Sequence, residues 1–252
     1  MPGGGDRTVS YAPIVLSGGG VRGAAHAGVL RALAERGILP EAISGTSAGA
    51  LVGALVADGH APQDLVPMVR EELKRTRLWR WPRSGSQRLA AFLKAHLRAK
   101  RIEDLSIPMY ITATDLERGG QRIFTTGELV PALLASSAVP IVFPPVRIDG
   151  TYYVDGGLSN NLPVEPFAHR KQDVIAVYVN PLSPFVPGKQ SLLGTMDRIW
   201  HINFREMVMR SAQGCRWFIE PPDLTFGMFD LRKLARAEDI GYTYARDLPL
   251  PA

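Results

Sequence analysis

Residues 11–37, YAPIVLSGGGVRGAAHAGVLRALAERG, decide the fold of this chain. The short apolar run at 11–17 ends in glycines, which predicts a buried β-strand. Apolar residues then recur at helical spacing over 21–36, and Gly37 provides a typical helix end. A strand, a glycine loop and a helix in this order predict an α/β domain.

The glycine loop between this strand and helix predicts an anion or oxyanion site. Because Gly18, Gly19 and Gly20 carry no side chains, their backbone N–H groups can converge on one point. The N-terminus of the following helix adds the positive end of its dipole. On its own the motif is weak, and an ordinary tight turn is the alternative.

The same loop also fits a dinucleotide-binding pattern. Gly18, Gly20 and Gly23 satisfy G-x-G-x-x-G, and Glu41 lies at roughly the expected distance for a ribose contact. That acid should end the second strand, whereas Glu41 precedes the strand predicted at 42–44. We therefore rank this interpretation below the oxyanion site.

A second motif follows the strand at 42–44. The pattern G-x-S-x-G occurs at Gly45, Ser47 and Gly49, before a helix predicted at 48–57. A sharp strand-to-helix turn exposes a serine hydroxyl for nucleophilic attack, and flanking glycines relieve crowding. A serine that only caps the helix is the alternative. A hydrolase needs a nucleophile and oxyanion donors, and these two motifs supply one each.

A third motif, Asp155-Gly156-Gly157, ends a predicted hairpin with strands at 146–149 and 152–155. The carboxylate is either part of an ordinary turn or the group that accepts the proton of Ser47. The other expected elements are strands at 109–114, 122–125 and 174–179, a helix at 128–138, a loop at 139–145 and helical structure over 190–215.

In these stretches the chain resembles the patatin-like phospholipases, close to their small bacterial members. The matching segments are SGGGVRGAAHAGVL (17–30), GTSAGAL (45–51), ASSAVPIVFPPV (135–146) and DGGLSNNLPV (155–164). The resemblance implies an α/β fold of the patatin type, a three-layer α/β/α sandwich with a mostly parallel central sheet. It further implies a serine acyl hydrolase that cleaves phospholipids or lysophospholipids and needs no metal or organic cofactor.

The resemblance also assigns roles to individual residues. Ser47 is the expected nucleophile and Asp155 the expected base, in a Ser–Asp dyad without histidine. The amides of Gly18, Gly19 and Gly20 are the expected oxyanion hole, and Arg22 is expected to orient this loop or meet a phosphate. The glycines expected to support these loops are Gly23, Gly45, Gly49, Gly156 and Gly157.

A Ser–His–Asp triad is the competing arrangement, with His169 or His201 as its histidine. His169 lies in a basic run typical of the surface, and His201 lies in an apolar stretch typical of a core histidine. His26, near the glycine loop, is expected to pack or to form a hydrogen bond there. We favour the dyad.

Charge is concentrated in one segment. The chain has a net charge of +5, yet eleven of its 29 Lys and Arg lie between Arg70 and Arg101. Residues 62–105 form a basic amphipathic segment, and we expect 70–101 to contact an anionic membrane. An apolar stripe that packs on the core is the alternative. Nucleic acid is not an expected partner, because no binding module accompanies the charge.

Composition limits the remaining classes. With 252 residues, of which 46% are hydrophobic and 21% charged, the chain can bury a core and is not disordered. We expect a flexible tail at 1–10 and a single domain at 11–252, without a signal peptide or a transmembrane helix. The single cysteine indicates a reducing compartment, hence a cytoplasmic protein. The basic segment adds the expectation that it is peripheral on the inner face of the membrane. A lipid-surface binding or regulatory protein of the same fold is the alternative to an enzyme.

Overall fold

Strands and helices alternate along the chain, whose computed structural model describes residues 9–75, 85–182 and 192–249. The strands are β1 (Ser10–Leu16), β2 (Ile38–Thr46), β3 (Met109–Asp115), β4 (Gly120–Phe124), β5 (Val146–Ile148), β6 (Thr151–Asp155), β7 (Ile175–Val177) and β8 (Trp217–Ile219). The helices are α1 (Ala24–Glu35), α2 (Ala48–Ala57), α3 (Pro62–Arg75), α4 (Gly85–His96), α5 (Leu129–Ser136), α6 (Leu192–Ala212) and α7 (Leu234–Asp247).

All of these strands join one mixed sheet in the order β5-β6-β3-β2-β1-β7-β8, with β4 paired to β3. The pairs from β3 through β2, β1 and β7 to β8 are parallel, and those of β4, β5 and β6 are antiparallel. Successive side chains of a strand point to opposite faces. Ile14 and Leu16 pack under α1, α2, α5 and α7, whereas Val15 packs on the α6 side. The three-layer α/β/α prediction is confirmed.

The strands β2 and β6 pair with the same edge of β3, because β4 occupies its other edge. On the shared edge β2 ends with Thr46 opposite Thr112, and β6 ends with Asp155 opposite Ala113. Since β2 runs parallel to β3 and β6 antiparallel, their carboxyl ends meet. This meeting places the residue that follows β2, Ser47, beside Asp155.

One difference from the predicted elements concerns β2, which begins at Ile38 rather than at residue 42. Glu41 therefore lies inside the strand rather than before it. Its exposed carboxylate forms an ion pair with Arg170 at 2.8 Å. The structure thus gives Glu41 no position at the carboxyl end of a strand, where a ribose contact would need it.

The apolar stripe of the basic segment packs against the core. Leu93 and Leu97 are buried, and Leu89 and Phe92 pack against the same cluster. The structure therefore favours packing of this α4 stripe on the core over its insertion into lipid. Residues 76–84, which include Trp79, Trp81 and three arginines, lie outside the described residues, as does most of the tail predicted at 1–10. Among the described residues, no helix combines the length and apolarity needed to cross a bilayer.

Candidate active site

Ser47 occupies the sharp turn between β2 and α2. Its backbone φ of 50° lies in the left-handed region, which non-glycine residues seldom adopt. Two hydrogen bonds connect this turn to β3 through Ser136. The Ser47 amide donates to Ser136 Oγ at 2.8 Å, and Ser136 Oγ donates to the Thr112 carbonyl at 2.6 Å. Ser136 lies in the matched stretch 135–146, but its sequence context does not reveal this supporting role. The serine is thus held in a strained position that exposes it to the adjoining cavity.

The glycines around this turn are required by close packing. A Cβ atom at Gly49 would overlap the Leu16 carbonyl oxygen, and one at Gly156 would overlap the Thr112 carbonyl oxygen. Gly23 and Gly45 are packed about as closely, whereas a Cβ atom at Gly157 would meet only side-chain atoms, at 3.0 Å. The three motifs therefore converge because their backbones approach more closely than side chains allow.

Asp155, at the end of β6, is the buried carboxylate of the site. Its Oδ1 accepts a hydrogen bond from the Gly157 amide at 2.8 Å. The Ser47 hydroxyl lies close enough to this carboxylate to lower its pKa. Its other oxygen, Oδ2, has no hydrogen bond of regular geometry with any described group. Burial outweighs both interactions and raises the pKa of Asp155 from an ordinary 3.8 to about 6.

Ser47 and Asp155 line one small cavity, of about 30 Å³. Its polar wall also includes Asn161 and His201, and Val139 and Phe204 contribute to its apolar wall. A cavity of this size has room for water beside the two side chains.

The glycine loop borders this cavity, but its amides differ. Gly18 N–H donates to the Asn161 carbonyl at 3.1 Å, which corrects the expectation that it is a free oxyanion donor. Among the residues that the structure describes, the amides of Gly19 and Gly20 donate no hydrogen bond. Two of the three expected donors thus retain an open N–H group. The contact to Gly18 joins residues far apart in the chain, so no local pattern predicts it.

Arg22 is buried behind the glycine loop and connects it to distant segments. Its Nε donates to the Phe226 carbonyl at 2.7 Å, and its Nη1 lies 3.3 Å from Asn180 Oδ1 and 3.0 Å from His201 Nε2. Asn180 in turn donates to the Gly18 carbonyl at 2.6 Å. Of the two roles expected for Arg22, this arrangement favours orienting the loop.

The two histidines considered for a triad occupy different environments. His169 is exposed and does not line the cavity, as a surface position predicts. His201 lies in the cavity wall rather than in an ordinary core, which its sequence context does not predict. Because a guanidinium only donates, the ring nitrogen of His201 that faces Arg22 acts as an acceptor. Neither histidine contacts Asp155 by any hydrogen bond within the described residues.

His26 supports the start of the glycine loop. Its Nε2 lies 2.8 Å from the Ser17 carbonyl oxygen, so this nitrogen carries the proton and donates it. Burial lowers the pKa of His26 to about 4, so the imidazole is neutral near pH 7.

No group of three or more metal-ligating side chains occurs within 9–75, 85–182 and 192–249. The chemistry that the described groups can supply is a serine hydroxyl, a buried carboxylate and open backbone amides.

Comparison with known proteins identifies the family. A model of the family described as patatin-like phospholipase matches residues 14–168, more than half of the chain. A lysophospholipase, NTE1, of Kluyveromyces lactis is 28% identical over 93% of this chain and 19% of its own length. A patatin-like phospholipase domain-containing protein of Caenorhabditis elegans is 31% identical over 93% of this chain and 20% of its own length.

This chain thus spans about a fifth of the length of these curated relatives. The crystal structure of VipD from Legionella pneumophila shares the fold, with a TM-score of 0.57 and 16% identity over 93% of this chain and 66% of that one. The family model, the relatives and the fold agree. The chain belongs to the patatin-like phospholipase family.

Proposed function

We propose that this protein is a serine acyl hydrolase that cleaves lipid esters through a Ser47–Asp155 dyad. The observation that carries the proposal is the presence of both side chains in one cavity that Gly19, with its open amide, also lines. Membership of the patatin-like phospholipases and the lysophospholipase names of several relatives support a lipid substrate. A phospholipid or lysophospholipid is the proposed substrate.

The reaction proceeds in two halves. Ser47 Oγ attacks the ester carbonyl carbon while its proton passes to Asp155, and the carbonyl oxygen gains negative charge facing the glycine loop. The intermediate collapses, the ester C–O bond breaks, and the alcohol leaves with the proton from Asp155. Water then attacks the acyl-serine, gives a proton to Asp155, and the second intermediate collapses to fatty acid. That proton returns to Ser47, so the dyad is restored.

Burial makes Asp155 a better base than an ordinary carboxylate. A carboxyl with a pKa near 4 accepts a serine proton poorly, because proton transfer is most efficient when the base has a pKa near the working pH. Desolvation raises the pKa of Asp155 to about 6. The same dry surroundings strengthen the interaction of the loop amides with the developing oxyanion.

The raised pKa predicts the pH dependence of hydrolysis. Because Asp155 must be ionised to accept the proton, kcat/KM should rise with pH, reach half of its plateau near pH 6, and level off above about pH 7. An ordinary carboxylate would place the midpoint near pH 4. The measurement is kcat/KM for a soluble short-chain ester from pH 4 to pH 8, with folding checked at each pH. A midpoint near pH 4 would contradict a desolvated base.

The test of the function is fatty-acid release. The purified protein is incubated with diacyl phospholipids and with lysophospholipids, and the products are identified by mass spectrometry. Release that depends on Ser47, together with labelling of Ser47 by a fluorophosphonate, supports the enzyme. Lipid binding without release or labelling would favour a lipid-surface binding or regulatory protein of the same fold.

The basic segment extends the proposal to a peripheral contact with the anionic inner leaflet. If Arg77, Arg80 and Arg83 each contribute about 1 kcal/mol near such a surface, replacing all three with Gln should weaken vesicle binding by roughly two orders of magnitude at low salt. Binding of the wild type should also fall as salt rises. Co-sedimentation with vesicles that contain anionic lipid measures both effects.

A matched variant controls for total charge in this experiment. Three exposed arginines elsewhere, Arg118, Arg122 and Arg216, are replaced with Gln, which removes the same charge from other parts of the surface. This control should bind anionic vesicles nearly as well as the wild type, and both variants should hydrolyse a soluble ester normally. Equal binding by the two triple variants would mean that the segment has no special role.

A further inference from the structure

Asn161 is a buried polar residue whose side chain the fold does not use. It is 7% exposed and lines the cavity that contains Ser47 and Asp155. Its Oδ1 is buried without a partner. Its Nδ2 forms no hydrogen bond with another described residue. Leaving such a group unpaired destabilises a protein by about 1–3 kcal/mol, so stability alone gives no reason for an asparagine here.

The neighbouring Asn160 shows what a structural asparagine looks like at this point in the chain. Its Nδ2 donates to Gln121 Oε1 at 2.8 Å and to Glu165 Oε2 at 2.6 Å, and its Oδ1 accepts from the Leu162 amide. Each end of its amide is thus bonded. Two adjacent asparagines therefore differ sharply, and only the side chain that faces the cavity is left unbonded.

The Asn161 amide lies close to two glycines of the site. A Cβ atom built at Gly18 would lie 3.0 Å from Asn161 Nδ2 and 3.4 Å from Ser47 Cβ. One built at Gly157 would lie 3.0 Å from Asn161 Nδ2 and 3.0 Å from Asp155 Oδ1. The Nδ2 group therefore lies between the glycine loop and the Asp155 turn, in the wall of the cavity that Ser47 also lines.

The main chain of Asn161 completes the argument. Its carbonyl accepts the Gly18 N–H, which removes one expected donor from the oxyanion site. The same residue brings its own N–H donors to this place through Nδ2. Side-chain amides of asparagine are established oxyanion donors in other hydrolases.

We propose that Asn161 is a catalytic residue, whose Nδ2 donates a hydrogen bond to the ester carbonyl oxygen as negative charge develops on it. It acts with the open amides of Gly19 and Gly20 and takes the place of the Gly18 amide. No proton is transferred from Asn161, since the hydrogen bond only strengthens as the oxygen becomes charged. This inference rests on the proposed hydrolase function.

The test compares Asn161→Ala and Asn161→Leu with the wild type. Losing one oxyanion donor should lower kcat by about 10²- to 10³-fold and leave KM within about threefold. Because the amide makes no hydrogen bond in the fold, the Tm of neither variant should fall through a lost bond. Leucine has the same branched arrangement of side-chain heavy atoms as asparagine and is larger, so Asn161→Leu removes the donor without enlarging the cavity.

Asn160→Ala is the matched control, since it removes the side-chain amide of the neighbouring residue, which is hydrogen-bonded at both ends. It should lower Tm and reduce kcat far less than the Asn161 variants. Asn161 variants that keep kcat within about threefold of wild type would overturn the inference alone, as would a loss of kcat that only parallels a loss of Tm. Absence of Ser47-dependent turnover in the wild type would overturn the proposed function and this inference together.

Discussion

Replacing Ser47 with Ala should reduce ester hydrolysis at least about 10⁴-fold, because no other described group in the cavity can replace the lost nucleophile. Labelling by a fluorophosphonate should disappear as well. The fold should be unaffected, because the Ser47 amide that donates to Ser136 belongs to the main chain. Alanine can also adopt the backbone conformation of this turn at a strain similar to that of serine.

The measurements are single-turnover and steady-state hydrolysis, probe labelling followed by mass spectrometry, and Tm. Ser10→Ala is the matched control, because Ser10 is an exposed serine that does not line the cavity. This control should keep full activity and full labelling. Substantial ester turnover by purified Ser47→Ala would mean that the nucleophile is another residue.

Local patterns predicted the parts of the fold that depend on neighbours in the chain. The helix expected at 48–57 is α2, because a glycine turn and an uninterrupted apolar run define both of its ends. The β5–β6 hairpin follows from Asp149 and Gly150, whose positive φ values of 48° and 90° suit a tight hairpin turn. The Ser47 turn follows in the same way from its flanking glycines.

The last forty residues show where such patterns fail. Their helix α7 packs on α1 through small residues at four-residue spacing, Ala237, Gly241 and Ala245. A Cβ atom at Gly241 would overlap the Ala25 carbonyl oxygen, so small side chains are required there. Hydrophobic periodicity gives such residues little weight, although their spacing is helical. The sequence therefore does contain a pattern that indicates α7, but this pattern is one of small residues rather than of apolar ones.

The arrangement of the site depends on tertiary contacts that no local pattern contains. Asp155 lies beside Ser47 because β2 and β6 end opposite adjacent residues of β3. His201 reaches the cavity from α6, far beyond Ser47 in the chain. The engagement of Gly18 by Asn161 is likewise non-local. Resemblance to the family suggested Asp155 as the base, and His201 was considered for a triad, whereas only the structure places His201 in the cavity wall and draws attention to Asn161.

Replacing Asp155 with Asn should lower kcat by roughly three orders of magnitude or more, because the proton of Ser47 then has no acceptor. Replacing His169 with Ala should leave activity of the same order, since His169 is exposed and away from the cavity. Both variants are assayed with a soluble ester at pH 8. A collapse of kcat in a folded His169→Ala protein would favour the triad.

The Asp155→Asn variant should also become more stable than the wild type as pH rises. Burial raises the folded-state pKa of Asp155 from 3.8 to about 6, so the native state favours the neutral carboxyl. Its ionisation therefore opposes folding progressively between about pH 4 and pH 6, and at pH 8 the full loss is about 3 kcal/mol. Asparagine has no charge to desolvate, and its Oδ1 can still accept from the Gly157 amide. Urea unfolding should therefore give the variant a free energy of unfolding up to about 3 kcal/mol higher at pH 8, with the difference vanishing near pH 4. A variant that is inactive and also less stable than the wild type at pH 8 would contradict this account. An ionised carboxylate buried away from water must lower the free energy of unfolding of the wild type, and the variant lacks that charge.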